Sequence, residues 1–341
     1  MTHKPNSKLH ATSSTAAGPA PAWRRWADKN KRWLVAGAGT AGLLSSALFN
    51  RASVGRAEAA TPPPGKFIEV DGVRLHYVDR GQGPVVVLLH GNGVMLQDFE
   101  VSGVLPLAAE HHRVIAFDRP GFGYSDRPRS RIWTPSAQAE LIARALKQIG
   151  IERAVVVGHS WGTLVALAMA LDCPEAVSGL VLLSGYYYGS ARPDVVPASL
   201  PAVPVLGDLL AHTVAPLVGL LTGPAAVKAS FAPAPVSDKF AAFPKAMALR
   251  PSQVRATAAD TALMVPSALS LSRRYGELAL PMIIMAGAGD LIVHVDKHAK
   301  RLVGDIAGAE LRVVPEQGHL FHYAVPEQVV TAISDVVERA G

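Results

Sequence analysis

The 341-residue chain has a single cysteine, so no intramolecular disulfide can brace it. Cys173 closes a helical pattern just before Pro174 and reads as a small buried apolar residue. Charged residues make up only 18% and aromatic residues 6% of the chain, against 49% hydrophobic. So little charge excludes disorder throughout, and the length suffices for one large domain, or one domain with an insertion, around a sizeable core. An excess of positive charge over the folded part is also missing, although the formal net charge is +6. Residues 1–60 hold nine Lys or Arg against Asp28 and Glu58, leaving 24 basic and 25 acidic residues for the rest. No basic face for a phosphate backbone is expected, and nucleic acid is excluded as a partner.

Long apolar runs are scarce too. Trp33 to Phe49 is 17 residues without a charge, preceded by Arg24, Arg25, Lys29, Lys31 and Arg32 and followed by Arg51 and Arg56. As a helix it spans about 26 Å, near the lower limit for a hydrocarbon core of about 30 Å. It reads as a membrane anchor or signal segment. The anchor is favoured because two arginines separate the run from the A-x-A site at Ala57-Glu58-Ala59. The stronger basic flank comes first, which puts the bulk of the chain outside the cytoplasm, anchored, or secreted if the leader is cleaved. Residues 1–32 read as a basic, disordered leader and 50–65 as a linker. Gly37-Ala38-Gly39-Thr40-Ala41-Gly42 is formally a G-x-G-x-x-G, but no strand precedes it and Pro62-Pro63-Pro64 interrupts any strand after it. No dinucleotide or other cofactor is expected.

From residue 66 the pattern changes. Phe67 to Val70, then Asp71-Gly72, then Val73 to Val78 alternates around a D-G turn, a hairpin signal. Apolar strand-like runs follow at Val85–Leu89, Val114–Phe117, Ala154–Val157, Leu180–Leu183, Met282–Ala286 and Leu311–Val314, with helical patterns mostly between them. One helix, Ser136 to Ile149, carries its N-cap at Thr134 and Pro135 at its first position. Such alternation predicts an α/β fold with a mainly parallel eight-stranded sheet covered on both faces. Between Gly185 and Leu280 the strand rhythm stops, and residues 186–280 read as an inserted helical lid, with Val205–Leu221 and Ala256–Leu271 as apolar helices. The core is then 66–185 and 281–341.

The chemistry is carried by Gly158-His159-Ser160-Trp161-Gly162, placed between an apolar strand and a helical stretch. A serine there sits on a sharp turn with its hydroxyl above the sheet edge. Serine is a weak nucleophile and needs a base oriented by a carboxylate. Asp290, after the strand Met282–Ala286, and His319, after Leu311–Val314, supply both in the order Ser, Asp, His. A tetrahedral intermediate needs N–H donors, and the backbone of Trp161 and of Asn92 in His90-Gly91-Asn92-Gly93 is positioned for that. His90, His159 and Tyr186 are expected to line the substrate pocket. His294 and His298 stand four apart but lack a third ligand, so they read as a surface helix and no metal site is expected. His322 is expected to face the helix that follows it.

Residues 66–341 resemble the α/β-hydrolase fold superfamily. The motifs are His90-Gly91-Asn92-Gly93, Asp118-Arg119-Pro120-Gly121-Phe122-Gly123-Tyr124-Ser125, Gly158-His159-Ser160-Trp161-Gly162, Gly289-Asp290 and Gly318-His319. In such families the Asp-x-Pro-Gly-x-Gly stretch is a structural loop by the active site, so the resemblance keeps Asp118 and Arg119 off the catalytic list. Asn92 and Trp161 resemble the halide-stabilising pair of haloalkane dehalogenases, and epoxide hydrolases share much of the pattern, but both use an aspartate where this chain has Ser160. An alkylated serine would be a stable ether, which excludes those two reactions. The loop after His90 does not match the His-Gly-Gly-Pro-Gly of proline iminopeptidases. The expected function is a serine hydrolase acting on a carboxylic ester of a small, lipophilic substrate. The alternatives are a carbon–carbon bond hydrolase or perhydrolase on the same triad, or a noncatalytic binding protein.

Overall fold

A computed structural model describes residues 21–341, apart from the side chain of Arg25; the expected disordered tail thus falls largely outside the described residues. The chain divides after Ser45 into two units. Helix α1 (Ala22–Ala60) contributes to both, so residues 22–32 and 50–60 are helical where a disordered leader and a linker were expected. It contains no proline and ends just before Pro62-Pro63-Pro64. Its second half is held by packing: Ala57 is buried against Met95 and Phe231 in a small apolar cluster. Gly37, Gly39 and Gly42 lie inside this helix, so the glycine motif makes no phosphate-binding turn.

The second unit is built on one eight-stranded sheet: β1 (Lys66–Val70), β2 (Val73–Arg80), β3 (Val85–Leu89), β4 (Arg113–Phe117), β5 (Ala154–His159), β6 (Val177–Leu183), β7 (Met282–Gly287) and β8 (Glu310–Val314). The spatial order is β1-β2-β4-β3-β5-β6-β7-β8, with β1 and β2 antiparallel and every pair from β4 onward parallel. The hairpin pairs Val70 with Val73, so Asp71 (φ 51°) and Gly72 (φ 73°) form the two-residue turn with both φ positive that the D-G pair foretells. Alternation along the strands builds two cores. Val87, Leu89, Ile115 and Val156 face one side, Val86, Leu88, Val114 and Val157 the other, and all are fully buried.

Helices cover both faces: α2 (Gln97–Ser102), α3 (Val104–Ala108), α4 (Pro135–Gln148), α5 (Gly162–Asp172), then, after the insertion, α11 (Ala299–Asp305) and α12 (Pro326–Ala340). In α4, Thr134 Oγ1 accepts the Ala137 N–H and Pro135 opens the first turn. The segment joining β6 to β7 is helical, with α6 (Val195–Ala198), α7 (Leu206–His212), α8 (Val214–Phe231), α9 (Lys245–Ala248) and α10 (Pro251–Leu271). α7 and α8 meet at Thr213, where one apolar helix was expected, and α10 starts at Pro251 instead of Ala256. Residues 295–298 form a turn, and His298 is buried, its Nδ1 accepting the Tyr187 N–H at 3.1 Å; the expected surface helix is a clamp on the chain leaving β6.

Candidate active site

Ser160 follows β5 with φ 51°, a left-handed backbone that is unusual for serine. The two glycines of its pentapeptide make the turn possible. A Cβ on Gly158 would come within 2.7 Å of the Gly162 carbonyl oxygen, and one on Gly162 within 2.2 Å of the Leu89 carbonyl oxygen. The turn aims Ser160 Oγ at His319, whose Nε2 lies 2.8 Å away. His319 Nδ1 is 2.8 Å from Asp290 Oδ2, and the other Asp290 oxygen accepts the N–H groups of Ile292 and Val293, each at 2.8 Å. Burial would raise the Asp290 carboxyl, but the facing His319 and these backbone donors outweigh it and hold it below the ordinary value. The ionised Asp290 therefore orients His319 with its proton on Nδ1 and Nε2 free to accept from Ser160.

The loop after β3 lies directly against the nucleophile: a Cβ on Gly91 would stand 3.2 Å from Ser160 Cβ. Among the described residues, neither the Trp161 nor the Asn92 backbone N–H enters a backbone hydrogen bond. The side chains of these residues are committed elsewhere. Asn92 Nδ2 donates to the Thr257 carbonyl at 3.1 Å and to Thr261 Oγ1 at 3.0 Å, and Trp161 Nε1 donates to the Asp260 carbonyl at 2.9 Å. All three acceptors lie on α10, so the pair that resembles a halide site is spent on holding α10 over the nucleophile.

Two positioning groups were not legible in the sequence. Arg119, fully buried, donates to the carbonyls of His90 (2.8 Å) and Gly91 (3.0 Å) and pairs with Asp260 at 2.7 Å, tying the β3 loop to α10. Asp260 is the lone acid in α10 and is fully buried, so its charge requires a buried partner. Asp98, on α2, accepts from His322 Nε2 at 3.0 Å and from Tyr323 Oη at 2.8 Å. Burial opposes its charge, but His322 and His159 beside it bring its carboxyl down to about 2. His322 thus turns to α2 and not to α12. Asp98, His159 and His322 bring ligand atoms within 4.8 Å of one another, the spacing a metal ion would use. Both Asp98 oxygens are already accepting, so the cluster serves as an anchor for the turn that follows His319.

The three residues expected to line the substrate pocket are all buried among protein partners. His90 is fully buried, its Nδ1 bonded to the Gly91 carbonyl and its Nε2 accepting the Arg119 N–H. Burial and the Arg119 charge lower its pKa to about 3, which keeps the ring neutral. His159 is buried and donates from Nε2 to the His319 carbonyl at 3.2 Å. Tyr186 is buried with its hydroxyl on Ser190. None of them lines the cavity of about 580 Å³ near Tyr124, Trp133 and Arg255, which also stands apart from Ser160.

A family model described as the alpha/beta hydrolase fold matches residues 84–324. The chain is an α/β hydrolase. An uncharacterized protein of Mycobacterium tuberculosis (strain ATCC 25618 / H37Rv) is 30% identical over 299 residues, covering 82% of this hydrolase and 81% of the relative. A 2-hydroxy-6-oxononadienedioate/2-hydroxy-6-oxononatrienedioate hydrolase of Paraburkholderia xenovorans is 31% identical over 270 residues, covering 77% and 90%. Among solved structures, an esterase from Exiguobacterium antarcticum superposes with a TM-score of 0.65 at 22% identity, covering 80% of this hydrolase and 99% of that chain; at that identity the likeness speaks for the fold. Hydrolase activity and the family follow from these matches; the bond cleaved is a separate matter.

Proposed function

We propose that this hydrolase cleaves carboxylic esters through an acyl-enzyme on Ser160. The observation that carries the reading is the unbroken hydrogen-bond chain Ser160–His319–Asp290. Ser160 Oγ attacks the ester carbonyl as its proton passes to His319 Nε2, and Asp290 stabilises the imidazolium. The oxyanion is held by the Trp161 and Asn92 N–H groups, each donor contributing about 10²- to 10³-fold in turnover. Collapse expels the alcohol, which takes the proton from His319, and water activated by the same histidine releases the acid.

The second reading, hydrolysis of a carbon–carbon bond, is favoured by the Paraburkholderia xenovorans relative. It uses the same residues on a vinylogous diketone. Turnover of p-nitrophenyl esters against that of a 2-hydroxy-6-oxodienoate separates the two. Under either reading Ser160→Ala lowers turnover by roughly 10⁴-fold or more and abolishes fluorophosphonate labelling. Ester turnover surviving in Ser160→Ala refutes the proposal, and absence of labelling and turnover in the wild type would leave a binding protein.

We further read α1 as a membrane anchor that stays attached, with the catalytic unit outside the cytoplasm. Ala57 is buried and Glu58 pairs with Arg250 at 2.9 Å, which supports retention of the helix at the A-x-A site. An unshortened mature chain in the membrane fraction, by intact-mass measurement, is the expected result.

A further inference from the structure

We infer that the outer face of α7 and α8 is a surface that docks on a lipid bilayer. The inference rests on the anchor reading above, and on the following geometry of the second unit. α8 has 18 residues with a mean hydropathy of 1.4, yet only 11% of it is buried. Val205, Leu206 and Leu209 before it and Leu217, Leu220 and Leu221 within it are exposed, Val205 and Leu221 by 82% and 83%. A soluble domain does not leave so large an apolar patch open without a partner.

Three observations select lipid as that partner. First, Ser46 Oγ and Asn50 Nδ2, at the end of the leader's apolar run, donate to the Thr213 carbonyl at 2.6 and 2.9 Å, so the run reaches the patch at the α7–α8 junction. Leu48 and Phe49 between these donors are themselves exposed, at 69% and 49%. Second, α8 is tied down at both ends. Pro216 is buried near its start, and Phe231 at its end packs on Phe240 and Tyr323, with ring centroids 5.6 and 5.4 Å away. A helix fixed at both ends lies along a surface and cannot cross a bilayer. Third, the charges bordering the patch are mainly basic. Arg51, Arg56 and Lys228 are exposed, and Asp208, the one acid between residues 195 and 231, is engaged by Arg129. A helix whose one charged residue is Lys228 in its last turn, with a basic border, suits anionic headgroups over acyl chains, whereas a protein partner would also need polar groups to pair.

The patch adjoins the chemistry. The Ser230 carbonyl accepts the Leu320 N–H at 3.1 Å, so the end of α8 is bonded to the residue after His319. Docking would set the nucleophile beside lipid and present it with esters dissolved in the membrane.

The test uses the full chain with Cys173→Ala, reconstituted in vesicles of phosphatidylcholine with phosphatidylglycerol. An environment-sensitive fluorophore is placed singly at Leu34→Cys, Leu221→Cys or Val313→Cys, and nitroxide lipids serve as quenchers. The expected result is a blue-shifted, quenched signal at 221, lost when Leu217 and Leu220 become Glu, with no quenching at 313 on the sheet edge. Quenching at 34 with a water-like signal at 221 overturns the docking surface while leaving the anchor standing. A water-like signal at 34 instead overturns the anchor and, with it, this proposal. A signal at 221 that is blue-shifted without vesicles, together with a doubled mass, assigns the patch to a second copy of the chain and also overturns it.

Discussion

Asp98 provides a demanding test of how the site is held. Its carboxylate touches neither Ser160 nor the open face of the site, and accepts from two residues of the turn Phe321–Tyr323 that follows His319. In Asp98→Ala the His322 Nε2–H and the Tyr323 hydroxyl lose their acceptor, and both residues are buried. Each orphaned donor costs about 1–3 kcal/mol, or about 2–6 kcal/mol together. For a unit of this size that lowers the melting temperature by roughly 3–10 °C. The freed turn also lets His319 drift, and a displacement of about 1 Å costs about 10²-fold in rate. Asp98→Asn keeps one acceptor oxygen and should fall between wild type and alanine. Steady-state kinetics on a p-nitrophenyl ester together with thermal unfolding provide the assay. The expected pattern is a reduced kcat with unchanged KM, ordered wild type, Asn, Ala. Wild-type kcat and melting in Asp98→Ala would refute the argument that this carboxylate positions the histidine.

Other expectations follow from single contacts. Gly91→Ala places a methyl 3.2 Å from Ser160 Cβ and 3.0 Å from His159 Nδ1, so the β3 loop must retreat and carry the Asn92 N–H with it. Its kcat should fall by about 10-fold or more while fluorophosphonate still labels Ser160, and an unaltered kcat would remove Asn92 from the oxyanion site. Arg119→Met leaves Asp260 with Arg127 as its remaining partner, and should destabilise by about 3–5 kcal/mol in urea unfolding. Acid should also unfold this hydrolase early. Burial, as the largest cause, holds His90 at about 3, His298 at about 4 and His159 well below the ordinary value. Below pH ~6.5 the unfolded chain binds protons that the folded one refuses, so stability falls with pH by about 1.4 kcal/mol per unit for each such histidine. Their contribution is fully present above that pH, and urea midpoints that stay level from pH 7 to ~5 would contradict it.

Much of the fold could be read from local pattern, because local pattern encodes it. The Asp71-Gly72 turn demands positive φ at both residues, and the apolar runs that mark parallel strands are buried on both sheet faces. The glycines flanking Ser160 are likewise a steric requirement of the turn itself. Positioning residues were illegible for the opposite reason. Arg119 and Asp260 are 141 positions apart, and His322 and Asp98 are 224 apart; no spacing rule spans such distances. The helical extent of the leader was not legible: charge and composition suggested a disordered leader and a linker around the apolar run, whereas Ala22–Ala60 is one helix, its end packed through Ala57 and bonded from Asn50 to the Thr213 carbonyl.

By itself the sequence determined the sheet, the sharp turn at Ser160 and the placement of Ser160, Asp290 and His319 after β5, β7 and β8, since each follows from periodicity, turn sterics and strand-end placement. The tertiary structure alone decided that the His90, His159 and Tyr186 side chains are buried and hydrogen-bonded within the protein, that the Asn92 and Trp161 side chains hold α10, and that α8 stays uncovered. Those outcomes depend on which side chains exclude water from one another across long stretches of chain, a property that arises only when the chain has closed on itself.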